Sequence, residues 1–98
     1  MRRVALVTGA SSGIGEAFAE ALASRGTDLV VVARRLERLE ALRDRLTERH
    51  GIQVHVVQAD LSRAGAVETI CAAVDHLGLQ VDTLINNAGY GVSGRFVA

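Results

Sequence analysis

Four short apolar runs recur along the chain, separated by longer segments in which apolar residues are more widely spaced. The runs cover positions 4–7, 29–32, 54–57 and 81–85. Each is rich in β-branched residues and bounded by polar residues or glycine, which predicts a β-strand. Because apolar and polar positions do not alternate in most of the runs, we expect the strands to be covered on both faces, as in a parallel sheet.

The segments between the runs carry apolar residues at the spacing of one helical face. The predicted buried stripes are Ile14, Ala17, Phe18, Ala21 and Leu22 in the first helix, Leu36, Leu39, Leu42 and Leu46 in the second, and Val67, Ile70, Cys71, Val74 and Leu77 in the third. Ser62 is the predicted N-cap of the third helix. Each helix is followed by a glycine, at positions 26, 51 and 78, where a left-handed cap conformation favours that residue.

The alternation of strands and helices predicts an α/β fold with right-handed crossovers and a parallel sheet. Gln53 and His55 give the third run a mixed character that fits a strand at the edge of the sheet. The strand order 3-2-1-4 places the third strand at one edge and the fourth at the other.

Composition excludes several classes of protein. Apolar residues make up 49% of the 98 residues, proline is absent and the formal net charge is zero. These values argue against a disordered chain, a nucleic-acid-binding tail and a polybasic membrane patch. No apolar run approaches the roughly 20 residues that span a bilayer. A single cysteine suits a reducing cytoplasm, and the three histidines lack metal-binding spacing, so we expect a cytoplasmic protein without a metal site.

The segment between the first strand and the first helix is the first candidate site. Its sequence is Thr8-Gly9-Ala10-Ser11-Ser12-Gly13-Ile14-Gly15. Gly9 permits a sharp turn, Gly13 lets the backbone approach a ligand, and Gly15 lets the helix pack tightly on the sheet. Unpaired N–H groups at the start of the helix favour an anion such as a pyrophosphate. The glycine spacing alone is weak evidence, and a glycine-rich turn without a ligand is the alternative.

Arg34 and Arg35 follow the second strand and form the second candidate site. In dinucleotide-binding folds an acidic residue about 20 positions after the glycine-rich loop binds the ribose 2′-hydroxyl of NAD, whereas a nearby arginine accommodates the 2′-phosphate of NADP. A guanidinium forms two charge-assisted hydrogen bonds with a phosphate, whereas a carboxylate repels it. These residues therefore favour NADP as the cofactor, with NAD less favoured. The alternative is that both arginines only begin a charged helix.

Asp60 and Leu61 directly follow the third strand and form the third candidate site. The carboxylate is able to accept a hydrogen bond from the adenine amino group, and the leucine offers an apolar surface to the ring. Negative charge is also favourable near the amino end of a helix, so a purely structural role for Asp60 is an equal alternative.

The end of the fourth strand and the turn after it consist of Asn86, Asn87, Ala88 and Gly89. Amides in a buried strand need hydrogen-bond partners, and in the predicted sheet the Thr8 hydroxyl can bond across to this segment. In the order 3-2-1-4 the first and fourth strands flank the point where the strand order reverses, which is where ligands bind in open α/β sheets. Small residues at positions 88 and 89 let a ribose or nicotinamide approach the backbone. For one of the asparagines, a role limited to tying strands together is the alternative.

The glycine-rich segment, Asp60-Leu61 and Asn86-Asn87-Ala88-Gly89 occur in an order and spacing that resembles the short-chain dehydrogenase/reductase family. The resemblance covers essentially the whole chain. It implies a Rossmann-type doubly wound parallel sheet that binds NAD(P). In that family a basic residue just after the second strand accompanies NADP, which matches Arg34.

The motifs and the resemblance together give one expected cofactor-binding set. It consists of Gly9, Ser11, Ser12, Gly13, Ile14, Gly15, Arg34, Arg35, Asp60, Leu61, Asn87, Ala88 and Gly89. The family often has a second basic residue just before the central glycine, and that position is Ser12 here. The expected NADP preference therefore rests mainly on Arg34, with Arg35 as a candidate second contributor and hydroxyl groups of Ser11 and Ser12 assisting.

The chemistry of the family requires a serine, together with a tyrosine and a lysine in a Tyr-x-x-x-Lys motif. The tyrosine transfers a proton, and the lysine lowers its pKa. The chain has no lysine, and Gly94 stands where the motif starting at Tyr90 would need one. No catalytic residue is therefore expected among these residues. The parent protein is expected to transfer a hydride between NADP(H) and a carbonyl or alcohol substrate.

Residues 1–98 are expected to form the amino-terminal part of a longer NAD(P)-binding domain. The fourth strand is apolar and unprotected at the sheet edge, which predicts an incomplete sheet whose next strand pairs with it. Family members commonly form homodimers or homotetramers, so the resemblance implies the same for the parent protein. The alternative is a non-catalytic dinucleotide-binding or sensing module that is complete at 98 residues.

Overall fold

The computed structural model of the protein describes residues 3–87, in which strands and helices alternate as predicted. The strands are β1 (Val4–Thr8), β2 (Asp28–Ala33), β3 (Val54–Gln58) and β4 (Thr83–Asn86), and the helices are α1 (Gly13–Ser24), α2 (Leu36–His50) and α3 (Ala66–His76). β4 begins two residues later than its apolar run. The Asp82 carboxylate accepts a hydrogen bond from the Val4 N–H at 3.0 Å, so a side chain replaces a backbone carbonyl at this end of the ladder.

All four strands are parallel, and their order is β3-β2-β1-β4. The predicted order 3-2-1-4 is therefore confirmed, with β3 and β4 at the two edges of the sheet formed by residues 3–87. Thr8 lies opposite Val32 on one side and Asn86 on the other. Because the strands are parallel, their carboxyl ends, and the loops that follow them, lie along the same edge.

Helices cover the two faces of the sheet and divide the core into two clusters. Ala5 and Val7 of β1 pack with residues of α1 and α2, whereas Val4 and Leu6 pack with residues of α3 on the opposite face. Every residue of β1 and β2 is buried. Burial on both faces is the physical reason why these strands are continuously apolar.

The buried face of α1 differs from the predicted stripe. Ile14 is 66% exposed and Phe18 is 45% exposed, and Ala17 and Ala21 are exposed as well. The residues that are buried instead are Gly15, Ala19 and Ala23. The fully buried residues of α1 are all small, and Leu22 is the member of the predicted stripe that packs, partly buried, against the core.

In α2 and α3, residues in the middle of each predicted apolar stripe are buried as expected, but one residue at an end of each stripe is exposed. Leu39, Leu42 and Leu46 are buried in α2, and Ile70 and Val74 are buried in α3. Leu36 and Leu77 are exposed because each lies at an end of its helix, beyond the edge of the core. No helix within residues 3–87 is both long enough and apolar enough to cross a membrane.

The N-cap predicted for α3 is wrong. The helix begins at Ala66 with Gly65 as its N-cap, and the Ser62 hydroxyl bonds to Asp60 at 2.6 Å. Ser62 therefore belongs to a turn after β3 rather than to the start of the helix. The three glycines predicted to follow the helices do have positive φ values, between 68° and 80°.

Charged side chains connect the surfaces of α1 and α2. Glu20 of α1 bonds to His50 at 2.8 Å and also to Arg49, while Glu16 bonds to Arg45 at 3.3 Å. The hydrogen bond from His50, followed by the bond and charge of Arg49, lowers the pKa of the Glu20 carboxyl. The arginines of these pairs are exposed, so we expect the ion pairs to contribute little to the stability of the fold.

Replacing Gly15 with alanine is expected to destabilise the protein. An added Cβ would lie 2.2 Å from the Gly9 carbonyl oxygen, so α1 would have to move away from the loop that precedes it. We expect the free energy of unfolding to fall by about 1–3 kcal/mol, as measured by urea denaturation followed by circular dichroism.

Gly13→Ala is the matched control, because an added Cβ at this position has no heavy atom within 4 Å. The free energy of unfolding of this variant should not fall by more than about 0.5 kcal/mol. Equal destabilisation by the two substitutions would contradict the close packing of α1 described above.

Candidate functional site

The Thr8 hydroxyl joins the ends of β1 and β4. It donates a hydrogen bond to the Asn86 side-chain oxygen at 3.0 Å and accepts one from the Asn87 N–H at 3.1 Å. Thr8 is fully buried, whereas Asn86 is exposed and Asn87 is half-buried, so the bonds lie at the margin of the core. The predicted contact between Thr8 and this segment is therefore present, and it fixes the separation of the two loops that follow the strands.

Ser12 and Asn87 form a second connection between the same loops. The Asn87 side-chain amide donates to the Ser12 hydroxyl at 2.8 Å and contacts the Gly9 carbonyl oxygen at 3.3 Å. The Ser12 hydroxyl in turn donates to the Gly9 carbonyl oxygen at 2.9 Å and accepts from the Gly15 N–H at 3.2 Å. Ser12 is thus the N-cap of α1 and the anchor point for Asn87.

The loop between β1 and α1 presents backbone N–H groups to its surroundings. Gly9 has a φ of 64°, which permits the turn out of β1, and the space beside Gly13 is open. Within the part of the chain that the structure describes, the N–H groups of Gly13 and Ile14 have no hydrogen-bond partner. These groups, together with the helix dipole, make the start of α1 suitable for a negatively charged group.

A cleft of about 270 Å³ lies where the loops after the four strands meet. The residues that line it are Gly9, Ser11, Ser12, Ala33, Arg34, Asp60, Leu61 and Asn87. The cleft therefore brings together residues from all four sequence motifs, including segments that are more than 70 residues apart along the chain.

Asp60 lies at the rim of this cleft in a tight turn. Its carboxylate accepts hydrogen bonds from the Ser62 hydroxyl at 2.6 Å and the Ser62 N–H at 3.0 Å. These bonds lower the pKa of the Asp60 carboxyl, and the positive charges of Arg34 and Arg63 lower it further, although partial burial acts in the opposite direction. The carboxylate therefore stays ionised at a lower pH than an isolated aspartate.

Arg34 and Arg35 occupy different positions at the end of β2. Arg34 is exposed and lines the cleft, and its charge acts on Asp60. Arg35 is the N-cap of α2, makes no side-chain capping bond and is not among the residues that line the cleft. Arg34, on which the expected NADP preference mainly rested, thus lines the cleft, whereas its neighbour Arg35 does not.

The remaining predicted residues have different positions. Gly13 and Ile14 lie at the start of α1, beside the cleft-lining segment, whereas Gly15 is buried against Gly9. Ala88 and Gly89 lie outside the described residues.

Two features of the site were not identified from the sequence. Ala33 lines the cleft, but an alanine at the end of an apolar strand carries no chemical signal. Gln58, at the end of β3, donates from its side-chain amide to the Arg34 carbonyl oxygen at 3.0 Å. The pairing of Gln58 with Ala33 in the sheet is the signal from which this proximity follows. No group of three potential metal ligands is present among residues 3–87.

The model of the short chain dehydrogenase family matches residues 3–97. A farnesol dehydrogenase from Aedes aegypti is 44% identical over 87 residues, which cover 89% of this chain and 36% of the mosquito protein. A 7beta-hydroxysteroid dehydrogenase from Collinsella aerofaciens is 42% identical over 74 residues, which cover 76% of this chain and 28% of that protein.

Solved structures agree with this relationship. The L-sorbose reductase from Gluconobacter frateurii, complexed with NADPH and L-sorbose, superposes with a TM-score of 0.86 at 39% identity, over 92% of this chain and 34% of that chain. The protein spans between 28% and 39% of the length of the curated relatives that it matches. With matching motifs, strand order and family model, this chain belongs to the short-chain dehydrogenase family.

Proposed function

We propose that the protein binds NADP(H) in the cleft at the carboxyl ends of the four strands. The observation that carries this proposal is that one cleft is lined by the glycine-rich loop, Arg34, Asp60, Leu61 and Asn87. These residues supply a cation, an anion and an apolar surface in one place, and the N–H groups of Gly13 and Ile14 beside the cleft supply backbone donors for phosphate. An adenine dinucleotide requires the same combination of groups.

The pyrophosphate is assigned to the start of α1. The unpartnered N–H groups of Gly13 and Ile14 and the open space beside Gly13 fit a phosphate that approaches the backbone. Gly9 supplies the turn, Gly15 allows the close packing of the helix, and the hydroxyls of Ser11 and Ser12 lie on the lining of the cleft. The donor set is electrically suited to an anion because the chain contributes no carboxylate to this loop.

The 2′-phosphate of the adenosine ribose is assigned to Arg34. The guanidinium is exposed at the cleft, where it is free to form paired hydrogen bonds with phosphate oxygens. Arg35 contributes a second positive charge next to it, although from outside the cleft lining. The arginine after β2 supports NADP over NAD, because no carboxylate is present there to bind a free 2′-hydroxyl.

Adenine is assigned to Asp60 and Leu61. The hydrogen bonds from Ser62 hold the Asp60 carboxylate in place and keep it ionised, which preserves its ability to accept a hydrogen bond from the adenine amino group. Leu61 lines the same cleft and offers an apolar surface to the ring. Asn87, with Ala88 and Gly89 after it, is assigned to the ribose on the nicotinamide side.

We further propose that these residues are the amino-terminal, cofactor-binding part of a longer oxidoreductase. The share of the relatives' length that the chain spans supports this, as do their names, which include dehydrogenases and reductases. When bound, the dinucleotide would donate a hydride to a carbonyl substrate in its reduced form, or accept one from an alcohol substrate in its oxidised form. The residues described above hold its adenosine and phosphate groups and orient it.

The second candidate is a dinucleotide-binding module without catalytic activity. Its support is the same cleft, because binding a dinucleotide there requires no Tyr-x-x-x-Lys motif. The coding frame beyond Ala98 separates the two candidates. A Tyr-x-x-x-Lys motif in that frame supports the oxidoreductase, and a stop codon directly after Ala98 supports the module.

Arg34→Ala is expected to weaken NADPH binding about ten- to a hundredfold and NADH binding less than twofold, because only NADPH carries the 2′-phosphate. Isothermal titration calorimetry with both cofactors measures the change. Arg38→Ala removes the same charge from an exposed position outside the cleft lining and should leave the ratio of the two affinities unchanged. An equal loss for both cofactors in Arg34→Ala would refute the assigned role.

Thr8→Val is expected to weaken NADPH and NADH by the same factor. The substitution keeps the shape of the side chain but leaves the Asn87 N–H without its acceptor, which should lower the free energy of unfolding by about 1–3 kcal/mol. Thr8→Ser retains the hydroxyl and should retain most of the binding. Calorimetric titrations beside urea denaturation test both effects, and a change confined to NADPH would contradict a purely structural role for Thr8.

The 98-residue chain is expected to bind NADPH without oxidising it. Absorbance of the reduced nicotinamide, followed in the presence of a panel of ketones and aldehydes, should not fall faster than in protein-free controls. Turnover that disappears with Arg34→Ala would show that this chain contains a catalytic group of its own.

A further inference from the structure

We propose that Gln58 is a positioning residue for the arginines after β2 and thereby contributes to discrimination between NADP and NAD. The inference rests on the proposed function, because it concerns how the 2′-phosphate site is held in place. It arises from a contact between the last residue of β3 and the turn after β2, which are neighbours in space but 24 residues apart in sequence.

The turn that carries Arg34 and Arg35 has little support of its own. It lies between the last residue of β2 and the first residue of α2, outside both elements. The N-cap position of α2 is Arg35, whose side chain makes no capping hydrogen bond. A helix entrance is normally fixed by a short polar side chain at this position, and here none is present.

Gln58 supplies a bond to this turn from the neighbouring strand. Its side-chain amide donates to the Arg34 carbonyl oxygen at 3.0 Å. Just beyond β3, the Ala59 N–H donates to the Ala33 carbonyl oxygen at 3.0 Å. The two bonds therefore bind the carbonyl groups of two successive residues, Ala33 and Arg34. The side chain of Gln58 thus extends the connection between β2 and β3 by one residue beyond the backbone ladder.

The direction of the Gln58 side chain follows from strand geometry. Val57 packs in the cluster on the α3 face, and Val54 and Val56 pack on the α1–α2 face. Alternation along the strand therefore directs Gln58 to the face that carries α2, which is the helix that Arg34 and Arg35 lead into. A valine or alanine at this position would reach the same face without a donor.

The contacted carbonyl belongs to the peptide that joins Arg34 to Arg35. Because a peptide unit is planar, a bond to its oxygen also fixes the orientation of the Arg35 N–H. Holding this plane limits the directions in which the Arg34 guanidinium can leave the backbone. Paired hydrogen bonds to a phosphate depend on that direction more than a simple charge attraction does.

Gln58→Met tests the inference, because methionine keeps the length of the side chain and removes the donor. We expect NADPH affinity to fall about two- to tenfold, the worth of one hydrogen bond, while NADH affinity changes less than twofold. The affinity for 2′,5′-ADP should likewise fall relative to that for 5′-AMP. These two nucleotides differ in the 2′-phosphate and lack the nicotinamide half, so they test the adenosine site alone. Gln53→Ala is the matched control: it is an exposed glutamine just before β3, at the opposite end of the strand from the cleft.

A double-variant cycle separates positioning from a direct contact with the cofactor. In a background with both Arg34→Ala and Arg35→Ala, Gln58→Met should no longer alter the NADPH-to-NADH ratio. A persistent change in that background, or an equal loss of both cofactors in Gln58→Met alone, would overturn the positioning role. The proposed function fails by a different result, which is an unchanged ratio in Arg34→Ala.

Discussion

The hydrogen bonds from Thr8 and Ser12 to the end of β4 are the constraint on which the candidate site depends. β1 and β4 are neighbours in the sheet, but the bonded residues are more than 70 positions apart, so chain connectivity alone does not align their loops. The Thr8 hydroxyl donates to Asn86 and accepts from the Asn87 N–H. The Ser12 hydroxyl donates to Gly9 and accepts from both the Gly15 N–H and the Asn87 side-chain amide. The two loops therefore have one relative position, and a cleft of defined width follows from it. Substituting either hydroxyl leaves a buried or half-buried amide without its partner.

The pattern of apolar and polar residues predicted the strands and their order correctly, because burial of a strand is visible directly in its sequence. Strands buried on both faces appear as continuous apolar runs, and mixed polarity marked β3 as an edge strand. The face of α1 was predicted wrongly because apolar spacing does not report how closely a helix approaches its sheet. At Gly15 the backbone of Gly9 lies where a Cβ would be, so the first turn of α1 lies directly against the preceding loop, and Ile14 and Phe18 are exposed.

The residues of the candidate site that belong to sequence motifs could be predicted, because each motif lies in the loop after a strand. The loops after β1, β2, β3 and β4 were each identified by composition, and parallel strand geometry brings their ends together. What the sequence does not specify is which side chains support others. Ser62 was predicted to cap α3, but its hydroxyl holds Asp60, because the turn after β3 leaves a carboxylate oxygen within reach. Gln58 is similar: its contact with Arg34 depends on the register between β2 and β3, which no local pattern encodes.

The distribution of exposed apolar surface bears on the proposal that the domain is longer. On the α1–α2 face of the sheet, α1 lies against β1 and β2, and α2 lies against β2 and β3. Ile85 of β4 is only partly buried at the margin of the same cluster, and Phe18 is 45% exposed on α1. Strands of a parallel sheet are normally covered on both faces, so an additional helix beside α1 would complete the burial of Ile85. This agrees with the proposal that the domain is longer than the residues described.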